Sequence, residues 1–161
     1  MSPLQQIYGN PNLPAGRINR KEYLWRLFLM GTLYALSNQF AKDYLRRGDV
    51  LGFLFIAFAL LMLLRLVMAH IKRLHDIGWS GCIVVFCIIP GLWKYYQFYE
   101  YYLHLRPKHL LSNTFIYMLA ELAEIILIAI LLFFKGQKGP NKYGKDPLME
   151  IEGNKQENPS N

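Results

Sequence analysis

At 161 residues the chain has room for one ordinary domain, which excludes an enzyme built from separate cofactor and substrate modules. Hydrophobic residues make up 53% and charged residues 18%, too apolar for a disordered chain and too poor in charge for an ordinary soluble surface. The net charge of +7 would point to nucleic acid in a soluble protein, but Lys and Arg gather at the ends of apolar stretches, so the expected partner is a lipid bilayer and not nucleic acid.

Residues 1–15 are polar and carry Pro3, Pro11 and Pro14, with no apolar run ending in a small-residue cleavage site, so no signal peptide is expected. The first apolar segment spans about 23–40, with Arg26 near its start and Ser37, Asn38 and Gln39 at its end. The second spans about 50–68. Val50 to Leu64 carries no charge, and if Arg65 snorkels the stretch reaches Ala69, about the 20 residues needed to cross a bilayer. The third, 77–93, is diluted by Gly78, Ser80 and Gly81 and broken by Pro90 and Gly91, which allows a short span or a re-entrant helix.

Trp93 to Leu111 follows, with Tyr95, Tyr96, Phe98, Tyr99, Tyr101 and Tyr102 set among polar residues, a composition suited to the headgroup level. The fourth apolar segment, 113–134, has Ser112 or Asn113 as its cap and Gly136 as its stop. The tail 149–161 is polar, unpatterned and expected to be disordered. The fold class predicted is all-α: a polytopic membrane domain over 16–148 with about four transmembrane helices, a cytoplasmic polar cap and an interfacial aromatic segment.

Four crossings would bring Gly16–Tyr23, Lys72–Gly81 and Lys135–Leu148 to one side of the membrane. That side carries Arg17, Arg20, Lys21, Lys72, Arg73, Lys135, Lys138, Lys142 and Lys145, against Lys42, Arg46, Arg47, Lys94, Arg106 and Lys108 on the other. The bias places the polar segments and both termini in the cytoplasm.

The same segments carry a family resemblance. GRINRKEY running into Leu24 and Trp25, KRLHDIGWSG followed by apolar residues and Pro90, and KGPNKYGKDPL after the last helix together resemble the domain of unknown function 805 family, the YhaH-like bacterial inner-membrane proteins. The resemblance covers roughly Gly16 to Leu148. It implies a class and an inner-membrane location, and supplies no activity and no catalytic residue.

The cap candidates are Arg17, Arg20, Arg73, His75, Asp76, Asn141 and Asp146. His75 beside Asp76 invites metal or proton chemistry, and Arg73 with Lys72 invites phosphate binding. Adjacent residues on one element point apart, however, and a metal needs more ligands. The favoured reading has Asp76 capping the third helix or a turn at Gly78, with Arg73 held by Asp76, Asp146 or a lipid phosphate. Gly139–Pro140, Gly144 and Asp146–Pro147 make the last polar segment a compact loop. Cys82 and Cys87 read as small apolar fillers, and no nucleophile, zinc or nucleotide motif occurs, so neither metal nor cofactor is expected.

Glu121 and Glu124 lie one helical turn apart in the fourth segment, where a carboxylate costs at least about 2.5 kcal/mol. They mark either ion or solute coupling, or a structural pair: protonated and bonded to Ser37, Asn38 or Gln39, paired with Arg26 or Arg65, or brought close to an interface by a shift of the span that the aromatic run causes. The lead functional expectation is a non-enzymatic membrane protein whose cap meets anionic headgroups, a membrane protein partner or a second copy of itself. The alternatives are a small transporter using Glu121 and Glu124, and a membrane-embedded enzyme acting on an anionic lipid.

Overall fold

The structure is a computed structural model that describes residues 16–85 and 114–149. Its long helices are α1 (Arg20–Arg46), α2 (Leu51–Ile77) and α3 (Thr114–Phe133). Among the described residues the only strand-like feature is an isolated bridge between Asn141 and Gly144, so the class is all-α.

Helix α1 begins at Asn19, whose side-chain oxygen accepts the Glu22 N–H at 2.9 Å and satisfies one of the orphan donors of the first turn. It runs well past the expected polar end at Ser37 to Gln39. Ser37 donates to the Leu33 carbonyl at 2.6 Å and Asn38 to the Tyr34 carbonyl at 2.9 Å, so their polarity is absorbed by their own helix. After Arg47 the chain reverses through Gly48, whose φ of +74° suits glycine, and the Asp49 carboxylate accepts the Leu51 N–H at 2.9 Å.

Helix α2 returns antiparallel to α1: Tyr44 and Phe40 stack on Phe55 near the turn, and Tyr23 meets His70 at the other end. The seam is made of small residues, with Ser37 and Ala41 buried on α1 and Gly52, Ala59 and Ala69 on α2. A methyl group on Gly52 would stand 2.6 Å from Leu45 Cγ, so the Leu45 side chain occupies the space that a side chain at 52 would need.

The expectation that Asp76 caps a third helix starting at 77 is corrected, because α2 continues through Asp76 to Ile77. It closes at Gly78, whose φ is +93°; the Gly78 N–H reaches the His75 carbonyl at 3.1 Å and the Trp79 N–H the Leu74 carbonyl at 2.9 Å, a Schellman closure. Helical backbone resumes only at 83–85. The rest of the third segment, with Cys87 and Pro90, the aromatic run Trp93–Leu111, and residues 1–15 and 150–161 lie outside the described residues.

Helix α3 meets the other two at one end. Leu127 and Leu131 join Ile18, Tyr23, Ala69, Leu74, Ile77 and Val84 in a single apolar cluster, whereas Met118, Leu119, Leu122, Ile125 and Ile126 stay exposed. Among the described residues one helix, α2, is long and apolar enough to cross a membrane, so the expected count of about four such helices is not met within them. Only 17% of its most apolar stretch is buried inside the protein, the reverse of the core helix of a soluble domain.

Candidate functional site

The last turn of α2, the residues before α1 and the loop after α3 converge on Asp76. Its Oδ1 accepts from Arg17 Nε at 3.1 Å and from Arg17 Nη2 at 2.9 Å, and its Oδ2 accepts from Arg73 Nη1. The side chains of Arg17, Arg73 and Asp76 are 0%, 1% and 5% exposed, so the cluster is withdrawn from solvent.

The remaining guanidinium donors go to backbone. Arg17 Nη1 donates to the Gly139 carbonyl at 2.7 Å and Nη2 also to the Gln137 carbonyl. Arg73 Nε donates to the Leu131 carbonyl at 2.9 Å, Nη2 to the Phe134 carbonyl at 2.6 Å, and Nη1 also to the Ile18 carbonyl at 3.4 Å. The carbonyls at the end of α3 have no partner within their own helix and carry the negative pole of its dipole, so a cation there is doubly favoured. The loop answers in kind for α2: the Gln137 N–H donates to the Asp76 carbonyl at 2.8 Å and Asn141 Nδ2 to the His75 carbonyl at 3.0 Å. Each helix end is therefore capped by the other's segment.

The fit leaves no room at Gly136, where an added Cβ would overlap the Asp76 carboxylate. Asp146, also buried, accepts the Gly139 N–H at 2.8 Å and the Leu148 N–H at 3.0 Å, which holds the turn carrying the Gly139 carbonyl. Burial works to raise its carboxyl, but the Leu148 and Gly139 hydrogen bonds and the Arg17 charge outweigh it and hold it below the usual carboxylate range.

His75 faces away from this cluster. Its ring lies flat on Tyr143, centroids 3.8 Å apart and planes within 3°, with Nδ1 3.3 Å from the Gly16 carbonyl. Lys142 covers the tyrosine ring with Nζ 4.9 Å from its centre. His75 and Asp76 thus serve different neighbours, one a ring stack and one an ion pair, as adjacent positions on a helix require.

Arg20 lies exposed at the start of α1, outside the contacts just described. Glu121 and Glu124 are exposed on α3, more than a turn before Leu131 and away from the polar cluster. Two residues absent from the sequence-derived set are central to the geometry: Gly136, which the sequence marks as a helix stop, and Gln137, which has no motif to mark it. A third, Tyr23, is fully buried edge-on to His70, with ring planes at 88° and a hydroxyl that has no hydrogen-bond partner among the described residues.

A family model described as "Protein of unknown function (DUF805)" matches residues 13–145, which contain all of these contacts except the two made by Asp146. No curated protein and no solved structure matches the chain.

Proposed function

The chain belongs to the DUF805 family, and from the apolar surface it leaves uncovered we propose a small multi-pass protein of the bacterial cytoplasmic membrane that binds rather than catalyses. Its polar end faces the cytoplasm and meets anionic lipid or a protein partner. The observation that carries this reading is α2, whose most apolar 18-residue stretch is only 17% buried inside the protein. In water that surface would drive aggregation, and in a bilayer it is solvated.

Two further features support it. Trp25 on α1 and Trp79 after α2 are both exposed near the polar end, and amphipathic indole rings settle at the headgroup level. Helix α3 has 20 residues, about the length that crosses a hydrocarbon core. In this reading Arg17, Arg73, Asp76 and Asp146 are a latch that holds helix ends together, and the exposed basic residues around it do the binding.

The test is extraction and topology in whole membranes. Alkaline carbonate should leave the protein in the pellet, a reporter after Leu148 should read cytoplasm, and one inserted at Gly48 should read the opposite side. Release by carbonate, or both reporters on one side, would overturn the proposal.

A further inference from the structure

Two opposite charges lie on the apolar part of the helices with nothing to balance either. Arg65 on α2 and Glu124 on α3 are both exposed, and among the described residues neither takes part in an ion pair or a side-chain hydrogen bond. Arg26, a charge on the apolar part of α1, is by contrast held by Glu22. Around Arg65, Leu60, Leu61 and Leu64 are exposed as well. Helix α3 is uncovered where Glu124 lies: residues 121–126 are all exposed, and six successive residues pass more than once around a helix, so no other described element covers that turn. In the membrane reading both groups face hydrocarbon, where an unpaired charge is costly and an opposite charge is strongly attracted.

The two groups also stand at one depth. Arg73 Nε donates to the Leu131 carbonyl at 2.9 Å, which fixes the register of α2 against α3, and both helices run toward the polar end. Arg65 precedes Arg73 by eight residues and Glu124 precedes Leu131 by seven, so each lies about two turns, or ~11 Å, from that contact. When copies of a membrane protein assemble around an axis along the membrane normal, every residue keeps its own depth, so only groups at a common depth can meet between copies. Opposite sign and equal depth are the two conditions for such a contact, and Arg65 and Glu124 meet both.

We propose that the occupant of this surface is a second copy of the chain, with Arg65 of each copy paired with Glu124 of the other inside the bilayer. This rests on the membrane reading above and adds an assembly to it. Two-fold symmetry makes the contact twice and leaves neither charge over. Snorkelling of Arg65 toward the headgroups would satisfy the arginine alone, because the glutamate side chain is too short to follow it.

The test is FRET between donor- and acceptor-labelled full chains in phosphatidylcholine liposomes, followed as the lipid is diluted. Wild type should associate, and Arg65→Gln or Glu124→Gln should weaken the association at least about ten-fold. Arg65→Glu alone sets carboxylate against carboxylate, and Glu124→Arg alone sets guanidinium against guanidinium, so neither should associate with itself. The two mixed should associate as wild type does, a rescue that pairing within one chain cannot give. A monomeric wild type, Gln variants that associate like wild type, or no association in a mixture of the folded single variants would overturn the proposal. Should a single variant fail to fold, the double variant Arg65→Glu/Glu124→Arg keeps opposite charges at the two positions and must associate with itself; a folded monomer overturns the pairing. Carbonate extraction of wild type is read separately, so a monomeric protein that stays in the pellet removes this inference and leaves the membrane reading standing.

Discussion

Arg73 on α2 donates from Nε to the Leu131 carbonyl of α3 at 2.9 Å, across 58 residues of chain, while its Nη1 holds Asp76 one turn away on its own helix. One side chain thus neutralises a carboxylate and caps a neighbouring helix. Arg73→Ala would leave Asp76 short of a partner and open the end of α3, and breaking a buried pair this way costs roughly 3 to 5 kcal/mol. Arg73→Lys should recover only part of it, because a single ammonium cannot span the Leu131 and Phe134 carbonyls and the carboxylate as a planar fork does. Unfolding of the purified variants in detergent checks the order wild type, Lys, Ala; equal stability of all three would remove the latch.

Gly136→Ala should destabilise by about 1 to 3 kcal/mol, the usual range for forcing extra volume into a packed site. The added methyl meets the Asp76 carboxylate specifically. In a double-mutant cycle with Asp76→Ala the two losses should therefore sum to less than their separate values. Strict additivity would mean the glycine is needed for some reason other than this contact.

Tyr23→Phe should be neutral or stabilising, by up to about 1 kcal/mol, since the buried hydroxyl has no hydrogen-bond partner among the described residues and its removal spares a desolvation cost. Melting of the variant in detergent reads this directly. A clear loss of stability would show that the hydroxyl is satisfied in the folded protein.

Asp146 links the latch to acid. Its folded pKa lies below the ordinary carboxylate value, so between the two values the unfolded chain binds the proton more readily. The stability it contributes is complete above the unfolded pKa, about 4, and is lost as pH falls through the folded value. Asp146→Asn should lower stability at neutral pH and flatten the acid limb below about pH 4. Denaturation profiles of both proteins between neutral and acid pH test this, and parallel curves would overturn it.

Much of the helical layout could be read without coordinates. The uncharged run from Val50 fits only a membrane or deep-core helix, but the apolar pattern ends near 68, whereas α2 continues through the polar segment to Ile77 and closes at Gly78 with a left-handed φ. Where the reading missed, local signals pointed the wrong way. Ser37 and Asn38 look like a helix end because polar side chains usually compete for backbone groups, yet here they bond within the helix and let it continue. Asp76 looks like a helix cap because aspartate often is one, yet it lies inside the last turn of α2 and answers two arginines.

The sequence alone determines the family, the all-α class and the polar segments that meet, because periodicity, apolar length and spaced motifs are local properties of the chain. Which donor meets which acceptor was decided by tertiary structure. Arg73 could have served Asp76, Asp146 or a phosphate, and nothing in the order of residues marks the Leu131 and Phe134 carbonyls, since every residue carries such an acceptor. The choice follows from where α3 ends against α2. That position is set by the packing of Leu131 with Leu74 and Ile77, by the close approach that Gly136 permits, and by the need of buried polar groups to find partners once water has been excluded.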